Sequence, residues 1–143
     1  MSKLIVAVAA MSAVLACSSK PTWRDQKVGP LALQFPCEPQ SSGSVVKCSL
    51  SDGTEFSVTT IEKKLSDAEE IAQTRQYVEG IPNSQLLKGD AFPLQWRESR
   101  RTVIFDGTLY YVKGIEYVVG VSYTTTSAPP IAAEFVSKVK VQS

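Results

Sequence analysis

Apolar and polar positions alternate along much of this chain, and one central stretch departs from that rhythm with helical spacing. Leu31-Ala-Leu33-Gln-Phe35 alternates, as does the stretch from Val45 to Leu50, and Gln40-Ser-Ser-Gly43-Ser between them is turn-like. A hairpin about Ser42-Gly43 is expected there. Ser51-Asp52-Gly53-Thr54 reads as a further turn, and Glu55 to Ile61 as a strand with Phe56, Val58 and Thr60 on one face.

The period then changes. Ser66-Asp67-Ala68-Glu69 has the form of a capping box, and Ala68, Ile71, Ala72, Arg75 and Val78 fall on one helical stripe that Gly80 and Pro82 bring to a stop. This predicts a helix of about 13 residues with a thin apolar face, lying on a sheet surface. Beyond it the chain reads as β again: a weak strand over 84–88, an extended stretch from Phe92 to Phe105, a type I′ hairpin turn at Asp106-Gly107, and a strand from Thr108 to Val112. The cleanest alternation is Ile115, Tyr117, Val119, Val121 and Tyr123, which predicts a central strand with those five side chains in the core. A short helix over 131–137 and a last strand at Val139 and Val141 complete the series. Strand-rich blocks with segregated helices define an α+β class: an antiparallel sheet of about 6–7 strands, one amphipathic helix and a short C-terminal helix.

The amino-terminal segment is different in kind. Met1-Ser-Lys3 is a short positive start, and LIVAVAAMSAVLA follows without a charge, too short for the roughly 20 residues that span a bilayer. It has the length and flanks of a signal peptide. It ends Val14-Leu15-Ala16-Cys17, which resembles the lipobox of bacterial lipoproteins, with Val where Leu is commoner at the first position. The resemblance implies cleavage before Cys17 and acylation of that cysteine by diacylglycerol and palmitate-type chains, an anchor of the kind that holds stably. Ordinary cleavage after Ala16 is the alternative. The absence of an aspartate after Cys17, by the same resemblance, implies the outer membrane of a two-membrane envelope. The expected organisation is a signal peptide over 1–16, a lipidated tether over 17–30, and one domain over 31–143. In the tether, Trp23 is expected to seat against the domain.

Three cysteines in an exported chain leave one unpaired, and lipid on Cys17 resolves the odd count. The hairpin brings Cys37 near Cys48 in an oxidising compartment, so a structural disulfide is expected. A reactive or metal-binding pair is the alternative, poorly served without a third thiol or any histidine.

Composition narrows the chemistry. The chain has 143 residues, enough for one domain, and a formal net charge of +1; loss of Lys3 with the signal leaves acids and bases equal. Such balance gives no bulk electrostatic reason to bind nucleic acid. The histidine count is zero, which removes Ser-His-Asp and Cys-His catalysis and histidine-ligated zinc. Two Ser-x-x-Lys matches, Ser44 with Lys47 and Ser137 with Lys140, lack the helix-opening serine that serine–lysine acyl enzymes need. Glu69 and Glu70 sit in a first helical turn, where acids favour the helix dipole, and Glu55 and Glu62 on an exposed strand face. No catalytic residue, cofactor or metal site is expected. Trp96-Arg97-Glu98-Ser99-Arg100-Arg101 is the one charge cluster beside an aromatic. Trp96, Arg97, Arg100 and Arg101, with Tyr111, form the candidate interaction patch; a solvated strand face with a buried Trp96 is the competing reading.

At the level of pattern, the chain over 31–141 resembles the small exported lipoproteins with a PsbP-like fold. The residues that carry this are Phe35-Pro36 at the end of the first strand, a Gly-centred hairpin before the central strand, and Phe135-Val136-Ser137 in the last helix. The resemblance implies an assembly factor or accessory subunit. The expected function is therefore a non-enzymatic binding or assembly module, held to the membrane by lipid and directed at another envelope protein. Two alternatives belong to other classes: an inhibitor or exclusion factor blocking a wall hydrolase or surface receptor, and a hydrolase using carboxylate or serine–lysine chemistry.

Overall fold

The computed structural model describes residues 20–142. The expected signal peptide and Cys17 lie outside them. Ten strands and two helices follow in the order β1 (Arg24–Val28), β2 (Leu31–Phe35), β3 (Gln40–Ser42), β4 (Val45–Ser49), β5 (Glu55–Glu62), α1 (Asp67–Glu79), β6 (Ser84–Lys88), β7 (Leu94–Arg100), β8 (Val103–Val112), β9 (Ile115–Tyr123), α2 (Pro130–Ser137) and β10 (Lys140–Val141). Seven strands form one antiparallel sheet in the order β3-β4-β5-β9-β8-β7-β6, and the other three form a small sheet in the order β1-β2-β10. The α+β class and the size of the main antiparallel sheet are as expected.

β9 holds the middle of the large sheet, between β5 and β8. Its odd-numbered side chains Tyr117, Val119, Val121 and Tyr123 are buried, with Ile115 packed at their margin. They face a core closed by Leu31, Leu33 and Phe35 of β2 and by Ala132 and Phe135 of α2. Trp23 seats against this core, and the Lys138 ammonium lies 4.7 Å over its ring. On the opposite face α1 covers a second core of Val78, Leu94, Trp96, Leu109 and Tyr111. The result is three layers: a helix, a seven-stranded sheet, and a small sheet with the second helix.

Four expectations need correction. The tether is shorter than expected, because Arg24–Val28 pairs along the whole of β2 in an antiparallel register from Arg24 with Phe35 to Val28 with Leu31. The segment lacks apolar alternation because β1 is a sheet edge, with only Gln26 and Val28 partly covered. Second, the hairpin about Gly43 is built from β3 and β4, with Ser42 opposite Val45, and β2 crosses into the other sheet. Third, Asp106-Gly107 is not a turn. It lies inside β8, and the reversal comes at Arg101-Thr102, where Arg101 takes φ 55°. Gly107 is there because a Cβ would stand 2.6 Å from the Trp96 ring. The glycine thus reports close packing and not backbone reversal. Fourth, α1 begins at the expected Ser66 cap, whose Oγ accepts from the Glu69 amide at 3.2 Å, but buries a different stripe. Glu70, Thr74 and Val78 face the sheet, while Ala68, Ala72 and Arg75 face solvent.

Candidate functional site

Rotation of α1 onto that stripe puts a carboxyl group where an apolar side chain is usual. Glu70 has no exposed surface, and neither of its carboxyl oxygens has a hydrogen-bond partner among the described residues. Burial, followed by the nearby Glu116 carboxylate, pushes the Glu70 carboxyl up to about 8; Lys63 and Thr74 pull the other way. Glu70 is thus held neutral at pH 7, which is how a carboxyl without a cation contact tolerates a dry site.

Glu116 is itself buried, on β9, and its Oε2 lies 3.7 Å from Lys63 Nζ. Lys63 also donates to Gln73 Oε1 of α1 at 2.6 Å. This cluster closes one end of an open groove of about 420 Å³ between α1 and the sheet. Ile61, Trp96, Phe105, Leu109 and Val118 form its apolar lining. At the other end lies Glu98, without exposed surface, accepting from Trp96 Nε1 at 2.8 Å and from Arg100 Nε at 2.6 Å. Arg100 Nη2 reaches on to the Tyr77 hydroxyl at 3.4 Å, and the guanidinium stands 5.5 Å over the Phe105 ring. Strand periodicity explains the collection. Trp96, Glu98 and Arg100 share one face of β7, opposite Gly107, Phe105 and Val103 of β8.

The same periodicity divides the expected patch. Arg97 points to the other face of β7, where its Nε donates to Asp106 Oδ1 at 2.7 Å and its Nη2 to Oδ2 at 3.1 Å. The Tyr123 hydroxyl donates to that carboxylate at 2.9 Å, and burial together with this bond pushes it up to about 12. Arg101 is exposed in the turn. Tyr111 is buried, its hydroxyl donating to the Leu65 carbonyl at 2.6 Å and accepting from the Leu65 amide at 2.8 Å. Trp96, Arg97, Arg100, Arg101 and Tyr111 therefore do not share a surface; Trp96 and Arg100 belong to the groove and the others do not.

The remaining candidates are structural. Cys37 and Cys48 are disulfide-bonded, with Cα atoms 5.8 Å apart, and Cys48 is buried in the first core. Lys47 pairs with Glu55 and Lys64 with Glu62. The Ser137 hydroxyl donates to the Glu134 carbonyl at 2.6 Å, and Ser44 stands in an exposed turn. Among the described residues, no group of three or more acidic, histidine or cysteine side chains is placed to hold a metal, and no helix is long and apolar enough to cross a membrane.

Of the groove residues, the Leu94-x-Trp96-x-Glu98 alternation could have marked Glu98 as inward-facing. Nothing comparable marks Glu70, whose stripe is no more apolar than its neighbours. Compared with family models, curated proteins and solved structures, the chain matches none.

Proposed function

We propose that this chain is an exported lipoprotein, acylated on Cys17, whose domain works by binding another envelope protein through the groove between α1 and the sheet. The absence of aspartate after Cys17 favours the outer membrane. The PsbP-like resemblance, carried by Phe35-Pro36, a Gly-centred hairpin and Phe135-Val136-Ser137, supports this reading. Phe35 ends β2, Gly114 turns the chain into β9, and Phe135 to Ser137 close α2.

The observation that carries the binding role is the groove itself. It combines an apolar lining with charged ends, which suits a peptide segment or loop bearing an apolar anchor. Glu70, the carboxyl with a raised proton affinity, has no exposed surface and does not line the groove. A general acid must reach the substrate atom it protonates, so burial favours binding over carboxylate hydrolysis.

The test is photocrosslinking in living cells from Ile61 and Tyr77, which are 41% and 49% exposed at the groove, with Lys113 as a control position. One defined partner captured from both groove positions, absent from the control and lost when Thr59→Trp fills the groove, is the expected result. Absence of any groove-specific product, with export and anchoring intact, overturns the proposal.

A further inference from the structure

Charge is unevenly placed across the three layers. α1 carries the exposed acids Asp67, Glu69 and Glu79 against one base, Arg75. On the far side of the molecule, the outward face of the small sheet forms a hollow of about 570 Å³ with Lys27, Lys138 and Lys140 around Ala32 and one acid, Asp25. Lys27 and Lys140 are each in register with Ala32, so they flank a methyl group across three strands. At the spacing of neighbouring strands their Cα atoms stand about 10 Å apart. Asp25, whose Oδ1 accepts from Gln34 Nε2 at 2.8 Å, offsets only one of the three lysines and forms no ion pair with them. Among the described residues, none of Lys20, Lys27, Lys138 and Lys140 forms an ion pair. In a domain of balanced charge, such a cluster is an arrangement and not a surplus.

The chain enters this sheet soon after the proposed anchor. Lys20 lies four positions before β1, and seven peptide steps run from Cys17 to Arg24. Fully extended, they reach about 25 Å. We infer that the outward face of the β1-β2-β10 sheet rests on anionic phospholipid headgroups, with Lys27, Lys138 and Lys140 meeting the phosphates. The inference extends the lipoprotein reading and gives the domain an orientation: acidic α1 and its groove point away from the bilayer. Within a Debye length of about 8–10 Å a cation gains from an anionic surface, and beyond it the gain is screened.

The test uses the full mature chain on vesicles of phosphatidylcholine alone and of phosphatidylcholine with phosphatidylglycerol. Flotation reports attachment, and acetylation rates read by mass spectrometry report which lysines are covered. On anionic vesicles, acetylation of Lys27 and Lys140 is expected to fall about fivefold relative to neutral vesicles, from the attraction each base gains near such a surface. Lys88 and Lys113 serve as uncovered controls. Added salt should restore the rates, and K27Q/K140Q should unmask Lys138. Equal rates on the two vesicle types, or flotation with neither, overturn the inference. Flotation with anionic vesicles alone, with Lys27 and Lys140 covered, supports the surface and removes the lipid anchor instead.

Discussion

The rings of Phe35 and Phe135 meet with centroids 5.3 Å apart, joining the end of β2 to α2, elements far apart in the sequence. Phe56 of β5 adds an edge-on contact to the same Phe135 ring at 5.0 Å. Neither Phe35 nor Phe135 has exposed surface, so the small sheet and α2 are fastened to the large sheet through one aromatic cluster.

Phe135→Ala should therefore cost about 3–5 kcal/mol, the usual penalty for emptying a buried aromatic site. Urea unfolding followed by circular dichroism measures it. A loss below about 1 kcal/mol would mean that the cluster does not hold the layers together.

Glu70 makes stability depend on pH in an unusual direction. Its folded-state value of about 8 stands above the ordinary carboxyl value of 4.5, so the folded chain keeps a proton that the unfolded chain releases. The stabilisation is complete below the unfolded value and is lost as pH rises toward about 8. Within that window the slope approaches about 1.4 kcal/mol per pH unit for a single group. Glu70→Gln should flatten the profile and leave the variant more stable than the parent at pH 8. Denaturant titrations at pH 5, 6.5 and 8 decide it, and parallel profiles for the two chains would count against a buried neutral carboxyl.

Gly107→Ala tests the close packing on Trp96. The added methyl must displace the indole, for a cost of about 1–3 kcal/mol and a shifted tryptophan emission. If Gly107 acted as a hairpin residue, the emission would be unchanged.

Removing the Cys37–Cys48 bond by a double serine substitution should lower stability by about 2–4 kcal/mol, since it frees a short loop in the unfolded chain. The same loss should follow from reductant acting on the parent protein. A reduced protein as stable as the oxidised one would contradict this.

Legibility in the sequence followed the strength of the local signal. β2, β4, β5, β9 and α1 were readable because alternation or capping marks them; Ser66 caps α1 where the sequence said it would. β1 was not, since an edge strand with one weakly covered face carries no apolar rhythm. Asp106-Gly107 misled because the dipeptide that favours a tight turn also supplies the missing side chain that lets Trp96 lie flat on the neighbouring strand. The groove was out of reach for a tertiary reason. Its residues come from β5, α1, β7, β8 and β9, and the burial of Glu70 follows from which stripe of α1 meets the sheet. Period-two counting alone, however, separates Arg97 from Trp96 and Arg100.

The borders of both sheets are blunt. β3 is three exposed polar residues, β10 is two residues, β1 is mostly charged or polar, and the pairing of β6 is broken by an irregularity between Leu86 and Lys88. Unpaired backbone along a long flat border would invite a neighbouring copy to add its own strand. Among the described residues no border offers such a template, so a neighbouring copy would gain little by adding a strand there.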